Sequence, residues 1–192
     1  MRNFKQTTSM KQTLIFSLIG LTLILHACGQ TNSKAQSETI AGKIYTNEAY
    51  RFSATIPDSW KLYGQIKNDT LKHMAIADWG LPKIYSDLEK TEIENSISIT
   101  AYQKPDINSV DKLILAEYLK INPTETALEV DKSNPNARMI YTTTPTGLKY
   151  QGKSYFVFKN GIGYVITFMA TPWTYDTNIK VFEEFYNGVK YL

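Results

Sequence analysis

A chain of 192 residues, 43% hydrophobic and 20% charged, has the composition of one globular domain plus an extension. Its formal net charge of +3 belongs wholly to the first 27 residues, where Arg2, Lys5 and Lys11 have no acidic counterpart, so the remainder is balanced. A neutral body excludes a nucleic-acid groove built on a basic stripe and offers anionic lipid no bulk attraction, while a single cysteine, Cys28, excludes any intrachain disulfide.

Residues 12–28 read QTLIFSLIGLTLILHAC, with basic residues ahead of an apolar run from Leu14 to Leu25. That run is shorter than the roughly 20 residues that cross a bilayer, and it suits the core of a signal peptide. Leu25, Ala27 and Cys28 resemble the end of a bacterial lipoprotein signal, in which the cysteine is modified by diacylglycerol. The resemblance implies a signal peptide over 1–27, palmitate-labelled Cys28 as the membrane anchor, and a bacterial cell envelope as the location. Gly29 stands where the inner-membrane retention signal places Asp, which implies the outer membrane with the domain facing the periplasm. Residues 28–43, polar and aperiodic after the cysteine, read as a flexible tether.

The folded part is expected over 44–192. Lys43–Asn47 reads as a short strand, and Tyr50–Ile56 alternates Tyr50, Phe52, Ala54 and Ile56 against polar residues, the pattern of a half-buried strand. Pro57-Asp58-Ser59 is turn chemistry, after which Trp60–Tyr63 resumes an extended pattern. Ser86-x-x-Glu89 has the spacing of a helix-capping box. Ser96–Gln103 is a strand with Ile97, Ile99 and Ala101 on one face. Ser109 caps a helix carrying Val110, Leu113, Ile114 and Tyr118 at helical spacing, which should run to about Lys120.

Strands follow at Glu125–Lys132 and Ala137–Thr144, and then the stretch around which the domain is organised, SYFVFKNGIGYVITFMA. Asn160-Gly161 tolerates the positive φ angles of a type I′ turn, which sets Phe158 opposite Gly163, Val157 opposite Tyr164, Phe156 opposite Val165 and Tyr155 opposite Ile166. Tyr155, Val157, Tyr164, Ile166 and Phe168 then share one face, with Phe156, Phe158, Val165 and Met169 on the other. Both faces are apolar, so the hairpin should lie mid-sheet with cover on each side. A closing helix with Ile179, Phe182, Tyr186 and Val189 on one stripe, capped at Asp176 or Thr177 and with Lys190 near its end, supplies part of that cover.

These elements predict an α+β sandwich: an antiparallel sheet with helices on both faces. The Ile56-Pro57-x-x-Trp60 strand end, the SISITAY strand before a helix, the paired FVFKNGIGYVITF strands and the closing helix together resemble the PsbP-like fold, named for an extrinsic protein of photosystem II. Architecture is what such motifs specify, and role is left open.

Catalytic chemistry finds little purchase. His73 is the only histidine beyond the signal, too few for a zinc site, and no glycine-flanked serine elbow accompanies it. Glu92-x-Glu94 and Glu183-Glu184 read as solvated surface, and Gly161-x-Gly163 is not a phosphate loop. The expectation is a non-enzyme without cofactor or metal. Trp79, in WGLP, and Trp173 and Tyr175, in WTY, fall outside the regular patterns and are the candidate binding residues. The chain is expected to be an envelope lipoprotein whose domain binds or supports another envelope protein, the alternative being a module that binds a small molecule or lipid.

Overall fold

The computed structural model describes residues 38–41, 43–57, 60–62, 67–69, 73–80, 84–87, 90–93, 95–145 and 147–192. Along them run β1 (Glu38–Ala41), β2 (Ile44–Asn47), β3 (Phe52–Thr55), β4 (Lys61–Leu62), β5 (Lys67–Asp69), β6 (Met74–Gly80), β7 (Ile84–Ser86), β8 (Thr91–Ile93) and β9 (Ser96–Tyr102). Next come α1 (Val110–Tyr118), β10 (Thr126–Val130), β11 (Ala137–Thr143), β12 (Lys149–Lys159), β13 (Ile162–Ala170), α2 (Pro172–Gly188) and β14 (Lys190–Tyr191). The main sheet has the order β10-β11-β12-β13-β9-β6-β4, with β5 also on β6, and every pair is antiparallel. A second sheet has the order β1-β2-β3-β14, and β7 pairs only with β8.

The β12–β13 hairpin has the register expected from its turn: Phe158 faces Gly163, Val157 faces Tyr164, Phe156 faces Val165 and Tyr155 faces Ile166. Asn160 at φ 53° and Gly161 at φ 78° carry the two left-handed positions of the turn. The hairpin lies in the middle of the sheet, and each face has its own cover. On one side α2 lays Phe182 against Phe168 and Tyr155, with ring centroids 5.3 and 5.8 Å apart, and Tyr186 stacks on Tyr155 at 3.7 Å. The small sheet joins the same core: Tyr45 meets Trp79 edge-on at 5.3 Å, Phe52 meets Tyr164 at 6.0 Å, and the Tyr164 hydroxyl donates to the Tyr50 carbonyl at 2.8 Å. On the opposite side α1 packs Leu113 and Ile114 against Tyr102, Ile107, Phe156 and Val165. Gly163 permits that approach, because a Cβ there would stand 3.0 Å from Leu113 Cδ1. The fold is therefore α+β, an antiparallel sheet with a helix on each face.

Several expectations are corrected. Glu38–Ala41, assigned above to the tether, is a strand that pairs with β2, its β-branched Thr39 and Ile40 suiting that role. Ser86 caps no helix: it ends β7, whose Tyr85 faces Glu92 of β8, while Glu89 lies outside the described residues. The last helix starts at Pro172, with Thr171 as its extended N-cap, five residues ahead of Asp176. Proline at the first helical position loses no hydrogen bond and arrives with helical φ, so Thr171-Pro172 outcompetes the later caps. Lys190 does not sit at the helix end but opposite Ser53, in β14. Nor is the α1 side of the hairpin apolar throughout. Ser154 and Thr167 face each other on it with oxygens 2.7 Å apart, and the row continues to Arg138 and Ser98.

The turn generates a prediction. A Cβ at Gly161 would meet nothing within 4 Å, so Gly161→Val carries only backbone strain, of about 1–3 kcal/mol. Thermal unfolding should show a lowered midpoint, and an unchanged one would mean that the turn relaxes freely.

Candidate functional site

Of the four residues singled out from sequence, Cys28 lies outside the described residues. Trp79 is not a loop anchor: it sits in β6 at 1% exposure, packed on Tyr45 and Phe185. Alternation in β6 points Ala77 and Trp79 into the core, and the aromatic surroundings leave no surface for a partner. Tyr175 is buried as well, with its ring 5.5 Å from that of Phe168 and its hydroxyl toward Met139 Sδ at 3.9 Å. Burial, ahead of nearby charges, pushes its phenol up to about 12. Trp173 alone is exposed, at 44%, in the first turn of α2. That turn is fixed from below. Asn95 Oδ1, itself buried, accepts from the Thr171 N–H at 3.2 Å and the Thr174 hydroxyl at 3.1 Å.

Among the described residues a group of adjacent exposed apolar side chains lies elsewhere, on α1. Ser109 Oγ accepts from the Lys112 N–H at 3.2 Å, starting a helix whose inner face buries Leu113 and Ile114. Its outer face carries Leu115 at 50%, Tyr118 at 39% and Leu119 at 79% exposure. Spacings of three and four residues set the three side by side. The last turn is anchored to the sheet by Lys120, whose Nζ lies 2.6 Å from Glu117 Oε1, reaches the Tyr102 hydroxyl and stands 4.4 Å from the centre of that ring. Burial, reinforced by Glu117, holds the Tyr102 phenol well above its ordinary range, so it remains a neutral partner. Sequence reading found Leu113 and Ile114 on the inner stripe but set Tyr118 there with them, whereas Tyr118 is exposed beside Leu115 and Leu119. It missed the outer face because Leu115 and Leu119 belong to no second apolar partner visible in one dimension.

A charged cluster bridges β12 and α2. Lys153 Nζ lies 2.8 Å from Glu183 Oε1 and 2.9 Å from Asp131 Oδ2, and the Tyr155 hydroxyl donates to Glu183 Oε2. Burial alone would depress the Lys153 ammonium, but Glu183, Tyr155 and Asp131 together raise it far above the usual lysine range. A permanently protonated lysine compensated by two carboxylates is a structural clamp and supplies no acid or base near neutral pH. Glu183 thus has a defined packing role, whereas Glu184 is exposed and lines a cleft of about 380 Å³ with Lys43, Thr55, Ile56, Pro57, Val181 and Phe185. The cleft opens widely to solvent. Exposed His73 sits at φ 49° in the turn before β6. Among the described residues no group of three or more His, Cys, Asp or Glu is placed to hold a metal ion, and no helix is long and apolar enough to cross a membrane.

Two predictions attach to the clamp. Lys153→Met should lower stability by about 1–3 kcal/mol, the range for lost hydrogen bonds to charged groups, read from urea unfolding. The Asp131 carboxyl is held down at about 2 by the Ser133 hydroxyl and then Lys153. A depressed carboxyl stabilises the fold above its unfolded value, about 4, and loses that contribution as pH falls through about 2. Stability profiles of Asp131→Asn should therefore converge with the parent at the acid end and fall below it near neutrality.

No protein-family model matches this chain, and neither does any curated protein. Solved structures do. A protein of Bacteroides thetaiotaomicron VPI-5482 matches with a TM-score of 0.43 and 13% identity over 80% of this chain, which spans about half that protein, 49%. The solution structure of cyanobacterial PsbP (CyanoP) from Synechocystis sp. PCC 6803 matches with a TM-score of 0.44 and 11% identity, covering 88% of this chain and 99% of that one.

Proposed function

We propose that this chain is a membrane-anchored envelope lipoprotein whose folded domain is a non-catalytic module that binds another protein through the outer face of α1. The observation that carries the reading is the adjacent exposure of Leu115, Tyr118 and Leu119 on a helix whose inner face buries Leu113 and Ile114. Apolar side chains held in fixed positions lose little freedom when covered, which is what a docking surface needs. Trp173, exposed on a turn tied to Asn95, is a second and smaller anchor. Acylated Cys28 holds the domain at the membrane in this reading, with Gly29 after it favouring the outer membrane and a domain facing the periplasm. Two or more acyl chains are needed for stable anchoring, and the lipoprotein pathway attaches at least two to one cysteine. The rival reading, a small-molecule or lipid-binding module, has the open cleft beside Phe185 in its favour.

Three outcomes discriminate. Site-specific photocrosslinking in the native envelope should capture a discrete protein from position 119 and none from position 180, on the exposed side of α2. Leu115→Ser with Leu119→Ser should abolish that product while leaving the unfolding midpoint nearly unchanged, since surface changes are usually within about 0.5 kcal/mol. A bound lipid or metabolite that co-purifies with the protein and is lost on altering Phe185 would instead support the cleft. For the anchor, Cys28→Ser should abolish palmitate labelling and leave the chain at precursor length. Normal trimming after Ala27 would mean an ordinary signal peptide.

A further inference from the structure

β10 is one edge of the main sheet, and among the described residues no strand pairs with its outer side. Two bonds fix which of its backbone groups are used: Thr143 N–H donates to the Glu125 carbonyl, and Asp131 N–H to the Ala137 carbonyl. In an antiparallel ladder the bonded pairs alternate, so Ala127 and Glu129 turn their backbone groups toward β11, while Thr126, Leu128 and Val130 turn theirs outward. The Thr126 N–H is taken by the Asn122 carbonyl at 3.0 Å. That leaves the Thr126 carbonyl and both groups of Leu128 and Val130 facing outward.

Exposed edges are ordinarily blunted by lysine, proline or a bulge. This strand, TALEV, contains none of these, and its sole charge is Glu129. Val130 is 56% exposed on the same face as Leu128 and Ile140, as the 2.7 Å approach of the Thr126 and Thr142 hydroxyls on that face shows. The end of the strand is held in place, because Asp131 is gripped by Lys153 at 2.9 Å.

We propose that β10 pairs with β10 of a second copy of this chain, antiparallel and about a two-fold axis through Leu128, to make one sheet continuous across both copies. An extended backbone complements a row of outward N–H and C=O groups, and a second β10 supplies an acceptor for each Leu128 and Val130 donor left without a partner among the described residues. With Leu128 opposite Leu128, Val130 N–H meets the Thr126 carbonyl of the other copy, the acceptor left free by the Asn122 contact. Glu129 falls opposite Ala127, so the two carboxylates are not juxtaposed. Leu128, Val130 and Ile140 of both copies merge into one apolar stripe. With Leu128 opposite Val130 both donors would also be paired, but Glu129 would stand opposite Glu129 of the other copy, and like charges directly opposite are destabilising; the shift the other way would leave the Val130 donor beyond the end of the partner strand.

Cysteine scanning in the full chain with Cys28→Ser, which makes each introduced thiol unique, tests the register. Residues opposite each other in such a pair have Cα atoms about 5.5 Å apart, inside the disulfide range. Leu128→Cys should give a reducible dimer on oxidation. Val130→Cys alone should give at least about tenfold less, and a mixture of Val130→Cys with Thr126→Cys should restore the yield. Leu128→Pro removes an outward donor without breaking a bond to β11, so it should be monomeric in sedimentation with its unfolding midpoint little changed. Leu128→Lys, which keeps the N–H but places two charges at the axis, should be monomeric too. Equal linking from positions 128 and 130, or a parent chain that sediments as a monomer, would overturn the proposal, as would recovery of β10 linked to a different protein in place of its own copy.

Discussion

A slip of one residue between β12 and β13 would carry every side chain of one of the two strands to the opposite face. If β13 slipped, Ile166 and Phe168 would meet α1, and Val165 would meet α2 and the small sheet. Neither set fits the other's cover: one is a stacked aromatic cluster with Phe182 and Tyr186, the other a narrow contact for Leu113 through the Cβ-less Gly163. The two-residue turn at Asn160-Gly161 removes that freedom, since its φ angles fit a I′ hairpin and splay other loop lengths apart. The rest of the domain inherits its register from this turn, strand by strand, outward to β10 and β6.

The α1 side shows how unevenly one face can be finished. Near the turn it is apolar and sealed by the helix; four residues further along the strands it becomes Ser154, Thr167 and Ser98, hydroxyls satisfied by one another or half open to solvent. Nine residues of helix cannot cover a sheet of this width. Exposure of Leu115 and Leu119 on the helix is a separate matter. They lie on the face turned away from the sheet and are exposed among the described residues.

Legibility in the sequence followed locality. The hairpin, the SISITAY strand and α1 were readable because their signals lie within a few residues: a turn dipeptide, a period of two, a cap followed by a period of 3.6. Trp79 and Tyr175 were misread for one reason. Each lies in a segment without a regular apolar period, while the partners that bury it, Tyr45 and Phe185 for one and Phe168 for the other, are distant along the chain. The start of α2 was readable in principle, since Thr171-Pro172 is a cap followed by a first-turn proline, but an aromatic pair next to it looked like a binding loop. β1 and β14 carry almost no signal of their own, being short strands that exist through their pairing with β2 and β3.

The smallest of those elements has a consequence for how the molecule comes into being. β14 closes the sheet begun by β2 and β3, and the Leu192 N–H reaches the Arg51 carbonyl at 2.7 Å, so residues near 50 wait for residues near 190. Phe52 likewise waits for Tyr164, and Trp60 and Trp79 wait for Phe185. For a chain made from its N-terminus onward, local segments such as the α1 turn can form early, but closure of the principal core is deferred until residues 164–191 have been made. Until then the early strands lack the partners that complete their sheet and bury their aromatic side chains.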